Sequence, residues 1–141
     1  MRVGLDIHGC IDLCPKYFEC LSWNLVNEKH EVHIITGQEW KKAEPTVKKY
    51  HISYTHHFSI VDYHKSIGTK MWRDSKNTWW MDEKIWLKSK GDYIRRAKVG
   101  IHFDDGVRYA QYMPSNCTFV LVPKNGFDKM FVEIKSFMPF Q

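Results

Sequence analysis

Three short apolar runs in this chain each end in polar residues, and this pattern constrains the fold more than any other feature. The polar residues at the ends are Asp6 after residues 3–5, Thr36 after residues 33–35, and Asp104 with Asp105 after residues 99–103. An ionised aspartate is rarely buried without a cation partner. Asp6 is therefore better explained as a ligand or a nucleophile than as scaffolding. Three polar strand ends in one small chain predict one shared site.

Apolar runs and helical patterns alternate along the chain. We expect strands near residues 2–6, 31–35 and 57–61, a fourth ending at Phe103, and a fifth at 118–122. Helices are expected from Pro15, over 40–49, through Val107 and Tyr109, and over 127–137. Strands that alternate with helices indicate an α/β fold whose mostly parallel five-stranded sheet is covered on both faces.

Length and composition indicate one domain over residues 1–141, because 43% apolar residues can build a real core. The stretch 63–88 shows no regular periodicity and holds four tryptophans. Residues 62–88 have room only for a small lid. The net charge of +5 suits anionic ligands and weakly suggests nucleic acid. A basic surface without a special partner is the alternative. The N-terminal apolar run is too short for a signal peptide or a membrane span, which favours a cytoplasmic location.

The polar strand ends predict a metal site. In a parallel sheet ligands bind beyond the carboxyl ends of the strands, so Asp6, Thr36, Asp104 and Asp105 should share one edge. Carboxylates that lie together repel each other, and a cation should balance them. All-oxygen ligation suits a hard ion, and Mg²⁺ is the usual choice where a phosphate completes the shell. The Thr36 hydroxyl and the Gly37 backbone N–H can then hold phosphate oxygens.

Such a site also needs a lysine to neutralise nucleophile and phosphate. The stretch from Ser89 to Asp92 resembles a capping box that opens a helix before the fourth strand. This helix would begin at the same edge of the sheet and carry Lys90 in its first turn. Lys88 and Lys84 are the alternatives.

The ordered set of motifs resembles the haloacid dehalogenase (HAD) superfamily of phosphohydrolases across roughly residues 1–122. Any one motif is weak, while the ordered set is specific. The motifs are Asp6-Ile7-His8-Gly9, the strand end His33-Ile34-Ile35-Thr36-Gly37, a lysine read as Lys90, and the pair Asp104-Asp105. The resemblance implies a Rossmann-like three-layer fold with a minimal cap, Mg²⁺ dependence and an aspartyl-phosphate intermediate.

The same resemblance implies a role for each site residue. Asp6 would attack phosphorus, and Thr36 and Lys90 would position the phosphoryl oxygens. The implied Mg²⁺ ligands are Asp6, the backbone carbonyl of His8 and Asp104, with Asp105 binding directly or through water. The expected activity is that of a phosphatase, or a phosphotransferase, acting on a phosphomonoester that includes a nucleotide or a polynucleotide end.

His8 is the departure from the family pattern, which usually has a second aspartate at this position as general acid and base. Imidazole exchanges protons near neutral pH and can perform both steps. The alternative is that the role has been lost. The chain would then be a catalytically weak HAD-like module that binds phosphate or nucleic acid.

Other polar and aromatic residues have more than one interpretation. His64 follows the third strand and is a candidate substrate contact, while Asp12 could touch substrate or cap a helix. His56 and His57 are adjacent in a strand, so their side chains should point to opposite faces and not bind one metal together. The tryptophans between residues 72 and 86 could stack a nucleobase, although packing is the commoner role.

Overall fold

The computed structural model describes residues 1–127 of the chain. The predicted helix over 127–137 therefore lies outside the described residues, apart from Phe127. The strands are β1 (Arg2–Leu5), β2 (Glu31–Thr36), β3 (His56–Ser59), β4 (Trp72–Arg73), β5 (Trp79–Trp80), β6 (Ile101–Asp104) and β7 (Thr118–Leu121). The α-helices are α1 (Pro15–Asn27), α2 (Trp40–Lys49), α3 (Ile60–Ser66) and α4 (Glu83–Ala97), and a 3₁₀ helix covers Val107–Tyr112.

Five strands form one parallel sheet in the order β3-β2-β1-β6-β7. Helices flank it, which confirms the predicted α/β fold and is consistent with a Rossmann-like three-layer sandwich. The central strand β1 pairs with β2 and with β6, so Leu5 lies opposite Ile34 on one side and Phe103 on the other. The residues that follow β1 and β6 therefore meet at one edge.

Two apolar layers hold the sheet between its helices. On one face Leu5, Val32 and Ile34 pack against α1 and α2 through Phe18 and Val47. The residues of the second layer lie against α3 and α4, and they include Ile35, Phe58, Ile60 and Ile94. Both faces of the inner strands are covered, so β1 is buried from Val3 to Leu5 and β2 from Val32 to Thr36.

The third strand is shorter than the sequence predicts. It ends at Ser59, whose hydroxyl oxygen accepts a hydrogen bond from the backbone N–H of Asp62 at 3.0 Å. This cap starts α3, so Ile60 and Val61 are helical and the prediction of a strand up to residue 61 is wrong.

The helix before β6 starts earlier than predicted. Asp82 caps α4, and its carboxylate accepts the backbone N–H of Ile85 at 3.1 Å. Ser89 therefore lies inside the helix, where its hydroxyl donates to the Ile85 carbonyl at 2.7 Å. The capping box proposed at Ser89 is wrong.

The segment predicted as a candidate lid contains most of α3, a small antiparallel hairpin formed by β4 and β5, and the start of α4. Trp72 and Trp80 pair across this hairpin and are exposed. Among residues 1–127, no helix is both long enough and apolar enough to cross a membrane.

Candidate active site

Three carboxylates meet where β1 and β6 end. Asp6 follows β1, Asp104 is the last residue of β6, and Asp105 comes next. One carboxylate oxygen from each lies within 4.8 Å of the others. Asp6 and Asp104 are buried, while Asp105 is exposed. The sequence predicted this cluster from the strand ends, and the structure brings its members together.

Lys90 supplies the positive charge. Its Nζ lies 3.0 Å from Asp6 Oδ1 and 2.6 Å from Asp104 Oδ2, and its side chain is only 2% exposed. The predicted residue is at the site, but its predicted position in a first turn is wrong because α4 begins at Glu83. Lys84 and Lys88, the two alternatives, are exposed.

Burial and mutual charge interactions shift the pKa values of Asp6, Asp104 and Lys90. Burial raises the pKa of Asp6 to about 7, with Lys90 opposing this shift and Asp104 adding to it. For Asp104 burial acts in the same direction, but Lys90 and His102 outweigh it and hold its pKa below the usual range. Burial would lower the pKa of Lys90, yet Asp6 and Asp104 raise it overall. Lys90 is therefore a permanent cation, and Asp6 is a carboxylate whose charge depends on its neighbours.

His102 is a part of the site that sequence reasoning did not identify. It is completely buried, and its Nε2 lies 3.0 Å from Asp104 Oδ2. The backbone N–H of Gly106 donates to the other oxygen of Asp104 at 2.9 Å. The available signal was the i,i+2 spacing of His102 and Asp104, which places both side chains on one face of β6. These contacts fix the orientation of the Asp104 carboxylate.

The loop after β1 makes a tight turn at Gly9, where φ is +69°. A Cβ atom at this position would lie 2.1 Å from Asp105 Oδ2, so only glycine lets the loop pack against that carboxylate. Asp12 closes the turn, because its Oδ1 accepts the backbone N–H of Gly9 at 2.7 Å. Asp12 does not cap α1, which begins after Cys14 without a side-chain cap, and its contacts are with the Gly9 N–H and His8.

The side chain of His8 is 61% exposed at the mouth of the site. Its Nδ1 lies 3.3 Å from Asp12 Oδ2, and its Nε2 lies 3.3 Å from Gln38 Oε1. The imidazole is thus held between two polar groups, with access to solvent.

Thr36 is the last residue of β2 and Gly37 follows it, so both lie at the predicted carboxyl edge of the sheet. The backbone N–H of Gln38 donates to the Thr36 hydroxyl oxygen at 3.2 Å. Thr36 is completely buried, whereas Gly37 reaches the surface of the cavity. A Cβ atom on Gly37 would lie 2.5 Å from the Trp86 ring, so glycine here allows the aromatic wall to approach.

A cavity of about 480 Å³ opens in front of these residues. Its wall includes aromatic rings, and its rim carries both acidic and basic side chains. Trp86 Nε1 donates to the Tyr109 hydroxyl at 2.8 Å, and Lys90 Nζ lies 4.3 Å from the centre of the Tyr109 ring. Further residues lining it include Asp6, His8, Gly9, Glu39, Lys42, Val61, Lys76, Asn77, Thr78, Trp79 and Asp105. The hairpin therefore contributes one side of the cavity, at the place expected for a lid.

His64 does not line this cavity, contrary to the prediction of a substrate contact. It lies in α3 and is buried, with Nδ1 2.7 Å from Thr69 Oγ1 and Nε2 2.7 Å from Ser89 Oγ. Because β3 ends at Ser59 and the chain turns into a helix, His64 points toward α4. It joins two helices and does not face the carboxylates.

Glu39 at the rim also escaped sequence reasoning. Its carboxylate lies 2.9 Å from Lys42 Nζ and pairs with Lys65 Nζ as well. Hydrogen bonds from Lys65, which has the larger effect, and from Lys42 lower its pKa to about 2.

Comparisons with models of protein families, with curated proteins and with solved structures gave no match to this chain.

Proposed function

We propose that this protein is a Mg²⁺-dependent phosphohydrolase that acts through an aspartyl phosphate formed on Asp6, as the resemblance to the HAD superfamily implies. The observation that carries the proposal is the buried Lys90 ammonium group between Asp6 and Asp104, beside an open cavity. A buried ion pair contributes little net stability compared with apolar packing. Such a group at the carboxyl edge of a parallel sheet is better explained by chemistry.

The donor set fits Mg²⁺. Asp6, Asp104 and Asp105 offer carboxylate oxygens within 4.8 Å of one another, and hard cations prefer oxygen ligands. These side chains would hold the ion together with the backbone carbonyl of His8. When bound, Mg²⁺ would offset negative charge on the phosphoryl group and on the carboxylates.

Asp6 is the proposed nucleophile. Its carboxylate oxygen would attack phosphorus, and the bond between phosphorus and the leaving oxygen would break. The attack needs an ionised carboxylate, and burial raises the pKa of Asp6 to about 7. Lys90 favours the ionised form from 3.0 Å and can also contact a phosphoryl oxygen. The Gly37 N–H, which borders the cavity, would hold another phosphoryl oxygen, and the buried Thr36 would fix this loop through the hydrogen bond that its hydroxyl oxygen accepts from the Gln38 N–H.

His8 is the proposed general acid and base. As imidazolium it would give a proton to the leaving oxygen, and as neutral imidazole it would take one from the water that attacks the aspartyl phosphate. It lies on the cavity wall, and Asp12 is within 3.3 Å of its Nδ1. Asp12 can thus orient the ring while Nε2 serves the reaction.

The cavity suits a phosphomonoester with an aromatic or polyanionic leaving group. Trp86 and Tyr109 provide ring surfaces, and Lys76 adds positive charge at the rim, where Lys42 is paired with Glu39. These residues support a nucleotide or a polynucleotide end as substrate.

A catalytically weak binding module is the second candidate, and the exposure of His8 favours it. The two candidates differ in p-nitrophenyl phosphate hydrolysis, measured with Mg²⁺ and with EDTA. A phosphohydrolase should turn over only with Mg²⁺, and Asp6→Asn should abolish turnover because an amide is a poor nucleophile. The matched control is Asp92→Asn on the outer part of α4, which should retain activity. Wild-type-like turnover by Asp6→Asn would contradict the assignment, while inorganic phosphate binding without turnover would support the module.

A further inference from the structure

A second group of metal-binding side chains lies at the opposite edge of the sheet. Glu31 and His33 belong to β2, and His56 is the first residue of β3. One ligand atom from each residue lies within 4.8 Å of the others. This edge holds the amino ends of the strands, whereas Asp6 and Asp104 lie at the carboxyl ends. The group is therefore separate from the candidate active site.

The register of the sheet creates this group. His33 and His56 are directly paired in the parallel ladder, and their rings stack with centroids 4.4 Å apart and planes 8° from parallel. Glu31 precedes His33 by two residues and so points to the same face. His57, in contrast, stacks on Trp40 on the other face. The histidine that joins His56 thus comes from the neighbouring strand and not from the adjacent position.

Thr55 contacts one ring nitrogen of His56. Its hydroxyl oxygen lies 3.1 Å from the Val32 carbonyl oxygen and 2.8 Å from His56 Nδ1, and its single proton serves one of these two contacts. Zn²⁺ binding through His56 Nε2 would select the arrangement in which the hydroxyl donates to the carbonyl and accepts from Nδ1–H, because a metal ligand needs its lone pair on the nitrogen that faces the ion.

His33 is held in a corresponding way. Its Nδ1 lies 2.8 Å from the Tyr93 hydroxyl, and its Nε2 lies 2.9 Å from Glu31 Oε2. A metal ion would replace the hydrogen bond between His33 Nε2 and Glu31. Nδ1 would then donate to the Tyr93 oxygen. Metal-binding histidines commonly donate their other ring N–H to such an acceptor, which fixes the orientation of the ring. The ring is almost fully buried, so this position is fixed in advance.

We propose that Glu31, His33 and His56 bind one Zn²⁺ ion. Two imidazole nitrogens and one carboxylate form a ligand set that zinc uses with a fourth, open position. A recess of about 410 Å³ lies next to the group, so water can reach that position. Mg²⁺ prefers oxygen ligands and is not expected here.

Positive neighbours limit the affinity. Arg2 Nε lies 3.0 Å from Glu31 Oε2, and Arg96 and Lys98 line the same recess. The Arg2 contact orients the carboxylate but also opposes a cation. We therefore expect binding weaker than that of a closed four-ligand structural zinc site.

The test is a calorimetric titration of the full chain with ZnCl₂ after treatment with EDTA, in excess Mg²⁺ to occupy the acidic cluster. Wild type should bind one Zn²⁺ per chain. His56→Gln should weaken this binding by about tenfold or more, since loss of even a residue that only hydrogen-bonds to a metal ligand costs about 10–100-fold in affinity. His57→Gln is the matched control, because this exposed neighbour points to the other face, and it should bind like wild type.

Two further measurements separate this site from the candidate active site. Co²⁺ in place of Zn²⁺ should give visible absorption bands that His56→Gln removes. Asp104→Asn should leave Zn²⁺ binding unchanged, whether or not the protein is a phosphohydrolase. Equal Zn²⁺ affinity in wild type and His56→Gln would overturn the proposal. Loss of Zn²⁺ binding in Asp104→Asn alone would also overturn it, by assigning the ion to the acidic cluster.

Discussion

The Lys90 ammonium group donates a 2.6 Å hydrogen bond to Asp104 Oδ2, and both side chains are almost completely buried. The same ammonium group lies 3.0 Å from Asp6 Oδ1. One cation thus serves two carboxylates in a space where an unpaired charge is costly. A change at Lys90 should consequently affect both the stability of the fold and the ionisation of the candidate nucleophile.

Replacing Lys90 with methionine should lower the free energy of unfolding by about 3–5 kcal/mol, because buried carboxylates would lose their cation. Urea denaturation without divalent metal measures this effect. Lys88→Met is the control, since Lys88 is exposed, and it should change stability by less than about 0.5 kcal/mol. The double variant Lys90→Met with Asp104→Asn should recover part of the loss. Equal stability of Lys90→Met and Lys88→Met would show that the pair does not carry this energy.

Mg²⁺ should raise the melting temperature, because binding to the folded state alone stabilises it, by about 2.7 kcal/mol at one hundred times the dissociation constant. Asp105→Asn should remove most of this gain without unfolding the protein, since its side chain is exposed. Asp92→Asn should keep the gain. Identical melting in Mg²⁺ and in EDTA would rule out the proposed ion site.

His8→Ala should slow hydrolysis of an alkyl phosphate by about 10²–10⁴-fold, because a poor leaving group needs a proton. The loss should be smaller with p-nitrophenyl phosphate, whose leaving group departs readily. His57→Ala, another exposed histidine, should behave like wild type on both substrates. If His8→Ala and wild type hydrolyse the alkyl phosphate at equal rates, His8 is not the general acid.

Glu39 should contribute stability that depends on pH. Its pKa is lowered to about 2 in the folded protein by Lys65 and Lys42, against about 4.3 for an unperturbed glutamate. A lowered folded-state pKa gives stability that is complete above the unfolded value and lost as pH falls toward 2. Glu39→Gln should thus unfold at lower urea than wild type at pH 7, and the gap should close between about pH 4.5 and 2.

Glu44→Gln provides the control for that experiment, because Glu44 pairs with Lys48 on the exposed side of α2 at 3.3 Å. Its urea midpoint should follow wild type at every pH, as exposed pairs contribute little. A gap for Glu39→Gln that stays constant down to pH 2 would show that its effect is not electrostatic.

The cluster of three aspartates could be predicted from the sequence because its formation follows from the topology of a parallel sheet. Asp6, Asp104 and Asp105 follow apolar runs, and parallel strands bring their carboxyl ends to one edge. Lys90 was identified from a capping pattern at Ser89 that the structure does not contain. The residue is right for a different reason: α4 runs from Glu83 past the site, and its interior face carries Lys90 to the carboxylates.

Two features depended on tertiary context and could not be predicted. Ile60 and Val61 have β-branched side chains that favour strands, yet the Ser59 cap turns them into a helix and carries His64 away from the cavity. The stacking of His33 on His56 depends on strand register, which a linear pattern does not reveal.

The two sides of the cavity differ in how tightly their residues are packed. On one side α4 touches the 3₁₀ helix so tightly that a Cβ atom on Gly91 would lie 2.2 Å from the Tyr112 carbonyl oxygen. On the other side the hairpin contributes Lys76, Asn77 and Thr78 from an exposed tip. Evolution or engineering could therefore exchange the tip to change ligand preference, while a change at Gly91 would disturb the scaffold that holds Lys90.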